Sequence, residues 1–212
     1  MNGARERTRA RIKAALRVKA TAAPAEKSDA GAPAGQPDLA ALFEQRWVVA
    51  GGDGRRVTSP EELGPVLETI LAQLPPGPVA ATASAYDLVP GLENILSRIG
   101  RNTCPPRPDR AKDAAAGLTA VRLALAYSGS VLVASSEPGE LSASLLPPVH
   151  IALVPADRVV PDLADGLEYL RDNGPPRGAA FISGASKTAD IELTVVKGVH
   201  GPGQAYAVIL DY

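Results

Sequence analysis

Residues 183–202 read S-G-A-S-K-T-A-D-I-E-L-T-V-V-K-G-V-H-G-P, and they gather the chain's densest set of groups that can do chemistry. Ser183, Ser186 and Thr188 carry hydroxyls, Lys187 an ammonium and His200 an imidazole. Ala179–Ile182 is a short apolar run expected to form a buried strand, and Ser183-Gly184-Ala185-Ser186 breaks it with small residues. Ser186 or Thr188 is a good N-cap, Asp190 and Glu192 suit a first turn, and Gly198 suits a left-handed stop, so the spacing predicts a helix over 188–197. Unpaired N–H groups at such a helix start, beside Lys187, favour a carboxylate or phosphate. The same hydroxyls serve equally well as plain caps, with Lys187 in water. A nucleotide-binding P-loop is excluded, because Phe181 and Ser186 occupy the positions where that motif needs glycine.

Two histidines limit any imidazole chemistry to His150 and His200. Val149, Ile151 and Leu153 surround His150 with the pattern of a core strand, which reads as a structural histidine. His200 sits between Gly198 and Gly201-Pro202, on a loop that either holds its own shape or faces a ligand and transfers protons; it is the candidate catalytic residue. No metal-ligand spacing is visible, and no G-x-G-x-x-G follows a strand, so no cofactor is indicated. With Cys104 as the single cysteine, the chain cannot form an internal disulfide, a cysteine zinc site or a cysteine-ligated iron–sulfur cluster.

The 183–202 run resembles the signature of the LUD-domain family, in which a G-P-S-[RK]-T-A-D-I-E segment leads into G-x-H-G-P. Ala116-Gly117-Leu118-Thr119-Ala120 is similar to the family's G-[IV]-T-x-A element, Ala126-Tyr127-Ser128-Gly129-Ser130 to its A-[ED]-T-G-[ST] turn, and Leu145–His150 to its L-x-P-x-x-H segment. The likeness covers roughly residues 115–212 in order. Ala185 stands where the family usually has proline, and Tyr127 where it usually has an acid. The resemblance implies a part in oxidation of L-lactate to pyruvate, beside an iron–sulfur LUD protein and a cysteine-rich partner that carry the clusters this chain cannot hold. On that reading the chain is an accessory, non-redox protein that binds a small anion through the expected helix start at 186–190, with Lys187 as counter-charge. The alternative is a stand-alone enzyme acting on a phosphorylated or CoA-linked substrate; whether the chain is itself catalytic stays open.

Behind these residues the chain alternates strand and helix patterns. Residues 3–20 read as a basic helix, with seven Lys or Arg and one acid in 1–20, and Thr21–Pro37 as an Ala/Pro/Gly-rich linker. A domain is expected over 38–212. Its pattern predicts a helix over 38–45, a short strand at Trp47–Ala50 and a helix over 59–73, then a strand at 78–82 and a helix over 92–99. Strands at 130–135 and 150–154, a helix over 161–172, and strands at 179–182 and 205–210 follow. Apolar strand runs between helices argue for an α/β fold with a mostly parallel sheet covered on both faces. The resemblance narrows this to a three-layer Rossmann-like sandwich shared by sugar-phosphate isomerases, deaminases and CoA transferases, the NagB/RpiA/CoA transferase-like fold. Ligands of open parallel sheets lie beyond the carboxyl ends of strands, where loops 128–130 and 183–188 are expected to emerge. Ser128, Gly129 and Ser130 therefore join Ser183, Gly184, Ser186, Lys187, Thr188 and Asp190 as candidate ligand-binding residues. Outside the basic segment, 15 basic and 22 acidic residues make the body a poor partner for nucleic acid. No apolar run approaches the ~20 residues of a membrane span, and a cytoplasmic location is expected.

Overall fold

The computed structural model describes residues 38–135, 139–174, 176–189 and 195–212; the expected basic helix and linker of 1–37 lie outside the described residues. A central sheet contains β1 (Asp53–Val57), β2 (Val79–Ala81), β3 (Thr103–Cys104), β4 (Ala116–Ala120), β7 (Val149–Pro155) and β12 (Gln204–Leu210), in the order β1-β12-β7-β4-β2-β3. Every pairing in it is parallel. Between β4 and β7 lie β5 (Leu123–Leu125) and β6 (Ser130–Ser135), and after β7 come β8 (Val159–Val160) and β9 (Gly178–Ile182). These four make a second sheet in the order β8-β5-β6-β9, with β6 antiparallel to both neighbours. The expected strands at 130–135 and 179–182 exist, yet they belong to this second sheet and not to the parallel one.

Seven helices are described: α1 (Leu39–Val49), α2 (Pro60–Ala72), α3 (Ala83–Leu88), α4 (Leu92–Arg98), α5 (Pro108–Ala111), α6 (Glu140–Leu145) and α7 (Leu163–Asp172). Strand alternation explains the layers. In β7 and β12, Ile151, Leu153, Tyr206 and Val208 pack with Leu63, Leu67, Leu92 and Leu96 of α2 and α4. The opposite rows, Ala152, Val154, Ala205, Ala207 and Ile209, pack with Phe43 and Trp47 of α1 and with Val131 and Val133 of the second sheet. Helix α7 covers the outer side of that sheet, where Tyr169 and Leu170 meet Leu125 and Leu132. Both faces of the parallel strands are therefore apolar, the condition that sheet type requires.

Two expectations fail for identifiable reasons. Trp47–Ala50 is not a strand but the end of α1, because Ala40, Phe43 and Trp47 recur at helical spacing and bury one face together. The described ends of the expected 188–197 helix are strands instead, and its middle, 190–194, lies outside the described residues. β10 (Lys187–Ala189) and β11 (Val195–Lys197) pair antiparallel, with Thr188 opposite Val196. β-branched residues at 188, 191 and 194–196 favour extended backbone, and Gly198, at φ +77°, ends a strand rather than a helix. Among the described residues no helix is long and apolar enough to cross a membrane.

Candidate functional site

Gly117 is where the site begins. A Cβ on this residue of β4 would run into the carbonyl oxygen of Ala143, so only glycine lets α6 close onto the sheet. That approach brings Ser144 and Leu145 beside His150, the register partner of Gly117 on β7. Gly117→Ala is expected to cost about 1–3 kcal/mol or more, since backbone must shift to admit the methyl group. Chemical denaturation of the variant checks this.

His150 is fully buried. Its Nε2 lies 2.9 Å from Thr119 Oγ1, across the β4–β7 pair. Among the described residues its Nδ1 is the buried side-chain nitrogen or oxygen without a hydrogen-bond partner. Loss of solvation pushes the imidazole down to about 4, so the ring is neutral at pH 7. A buried imidazole nitrogen left unpaired carries a desolvation cost of about 1–3 kcal/mol, which a ligand able to bond it would offset.

The ring borders a cavity of about 160 Å³ whose other walls include His200, Ser144, Ser186, Phe181 and Pro202. Both histidines of the chain thus line one small space. Backbone bonds fix its mouth: Ser186 N–H donates to Pro202 O at 2.8 Å, Gly198 N–H to Ser186 O at 3.1 Å, and Gly203 N–H to Pro148 O at 2.9 Å. Ser144 spends its own proton on Leu141 O, leaving its oxygen as an acceptor toward the cavity region. Ligand pockets for drug-sized molecules span roughly 300–1,000 Å³, so this volume suits a molecule of only a few heavy atoms.

The sequence candidates divide into two groups. Gly184, Ser186 and His200 line the cavity, and Ser183, next to Gly184, shares a 2.6 Å hydrogen bond with Ser130. Loops 128–130 and 183–186 do meet, but at the amino ends of β7 and β12, because the cavity is closed by His150 and Ala205 at the starts of those strands. The expected location at the carboxyl ends is corrected accordingly. Gly129 and Gly184, both at positive φ, instead let these turns press on the backbone of α1 at Arg46–Trp47 and Ala50. Lys187 Nζ donates to Ala50 O at 2.9 Å, a cation on the last carbonyls of α1. Ser128 is exposed in its turn, Thr188 belongs to β10, and Asp190 lies outside the described residues.

Lys187–Ala189 is a strand and not the start of a helix, so the expected helix-start donors are not at 187–189, and Lys187 acts as a cap on α1. Lys187→Ala should therefore lower stability by about 0.3–1 kcal/mol, read from the melting temperature. Sequence reasoning read His150 as a structural histidine without placing it on the cavity, and gave Thr119 no role. The signal was available, because both stand in the L-x-P-x-x-H and G-[IV]-T-x-A elements quoted above.

A family model described as LUD domain matches residues 84–210. "Lactate utilization protein C" of Anoxybacillus flavithermus is 33% identical over 165 residues, 73% of each chain. The protein of the same name from Bacillus subtilis is 37% identical over 107 residues, 48% of this chain and 45% of that one, so this match spans less than half of its length. The Geobacillus thermodenitrificans protein of that name is 29% identical over 197 residues, 83% of this chain and 80% of that one. In three dimensions the chain is similar to a DUF162 family protein from Deinococcus radiodurans, with a TM-score of 0.60 at 18% identity, over 84% of this chain and 99% of the other. That likeness supports the α/β architecture.

Proposed function

The chain belongs to the LUD-domain family, and on that premise we propose that it is an accessory, non-redox component of an L-lactate oxidation system that holds a small hydroxy or keto acid between His150 and His200. The observation carrying the proposal is the unpaired Nδ1 of buried His150 on a cavity that His200 also lines. A neutral imidazole offers one donor and one acceptor, and a 2-hydroxy acid presents a hydroxyl that can answer either. The relatives named for lactate utilization supply the substrate class. One cysteine in 212 residues leaves electron transfer to partners, and the proposal assigns it to an iron–sulfur LUD protein and a cysteine-rich protein. It takes 38–212 as the LUD domain, 1–37 as an appended basic segment and linker, and the cytoplasm as its compartment.

Deletion of the gene should abolish growth on L-lactate as sole carbon source, with rescue by wild type and not by His150→Gln. Normal growth of the deletion strain, or full rescue by the variant, would overturn the reading.

A further inference from the structure

The opposite end of the parallel sheet carries a second crevice, far in sequence from the motifs above. Chain leaving β2 turns to one face of the sheet through α3 and α4, whereas chain leaving β4 turns to the other face through β5. Neighbouring strands whose connections diverge in this way leave a crevice between their carboxyl ends, the usual ligand position in open α/β sheets. Here the crevice measures about 240 Å³. Ser84 and Asp87 of α3 line it, with Ala120 at the end of β4, Arg122 just beyond, and Arg158 from the turn after β7. Three adjacent strands, β2, β4 and β7, thus deliver polar groups from their ends to one place.

Both arginines adjoin Val121: Arg122 follows it in the chain, and Arg158 Nη1 lies 3.4 Å from its carbonyl oxygen. They differ in how they are held. Arg122 is half-buried, with Glu140 3.6 Å away; the Glu140 side chain is only 5% exposed, so this pair fixes the arginine in place. Arg158 makes no ion pair among the described residues, and Asp87 is the carboxylate on the crevice wall. Arg122 also borders a cavity of about 480 Å³ that Arg177 and Tyr169 line.

The geometry points to a second binding site, for the phosphate group of a phosphorylated small molecule, with Arg158 and Arg122 as its cationic walls and Ser84 as a hydroxyl partner. Two planar guanidiniums lining one small crevice suit the several oxygens of a phosphate better than a lone ammonium does. The site stands apart from the histidine cavity, so either can fail without the other.

The test is calorimetric titration of the full chain with inorganic phosphate and with pyrophosphate, at fixed ionic strength. Wild type should bind both saturably, with pyrophosphate tighter. Arg158→Gln should weaken binding roughly tenfold or more without moving the melting temperature of the unliganded protein. Asp87→Asn, which removes the opposing charge, should tighten it severalfold, and Lys187→Ala, a charge loss elsewhere, should change nothing. Equal affinity in wild type and Arg158→Gln, or equal losses in Arg158→Gln and Lys187→Ala, would overturn the site.

Discussion

Replacing Trp47 by alanine should remove about 3–5 kcal/mol of stability, enough to leave a typical domain largely unfolded at modest denaturant concentration. Trp47 is fully buried at the last turn of α1, with its ring centroid 5.8 Å from that of Phe43 and its Nε1 donating to Asp53 O at 3.2 Å. It belongs to the same core as Ala185 and Ala205, which flank the histidine cavity. Losing the indole leaves a void in this core and removes the bond to the Asp53 carbonyl at the start of β1. Equilibrium unfolding of Trp47→Ala and Trp47→Phe measures the effect. The phenylalanine variant should recover much of the packing but not the bond to Asp53, and a loss under 1 kcal/mol for alanine would mean that α1 is not docked as described.

The second large effect is acid sensitivity from His150. Its folded value, about 4, lies below the 6.5 of an unperturbed imidazole because burial opposes the charged form. Between those values the unfolded chain binds a proton that the folded chain refuses. Stability from this group is therefore complete above pH 6.5 and falls as the pH drops toward 4, by about 1.4 kcal/mol per unit and about 3 kcal/mol in all. Carboxylates titrate nearby, so the useful quantity is the difference between wild type and His150→Asn. The destabilisation caused by that substitution should shrink by roughly this amount between pH 7 and pH 4. A difference independent of pH would show that His150 is charged or solvent-exposed in the folded protein.

Much of this fold is legible locally. Ser59-Pro60-Glu61-Glu62 announces α2, with proline at the helix start and acids in the first turn, and the helix runs Pro60–Ala72. The apolar runs of β7 and β12 are equally plain, since strands buried on both faces need nothing but apolar residues. The pairing of 187–189 with 195–197 was not legible, because Ser186 and Gly198 bound a helix and a strand pair alike, and pairing is decided by partners distant along the chain. Trp47-Val48-Val49-Ala50 misled in the same way: four apolar residues match a strand, and only Phe43 and Ala40, one and two turns before Trp47, reveal the helix.

The site shows the same limit. His150 looks structural within its own strand, as Val149 and Ile151 demand. That its Nε2 meets Thr119, 31 residues earlier, and that its ring borders the cavity of His200 are facts of tertiary packing. Lys187 erred in the opposite sense, attractive by type and neighbours but committed to Ala50 O, 137 residues away. The crevice at Arg122 and Arg158 draws on α3, the end of β4 and the turn after β7, a spread with no local motif.

Titration of L-lactate and pyruvate into wild type, His150→Gln and His150→Asn tests the central claim most directly. A glutamine amide nitrogen overlays Nε2 and keeps the Thr119 bond while removing Nδ1, whereas an asparagine amide nitrogen overlays Nδ1. The account predicts one saturable site in wild type, a loss of roughly tenfold or more in His150→Gln, and affinity nearer wild type in His150→Asn. Wild-type affinity in His150→Gln would contradict it.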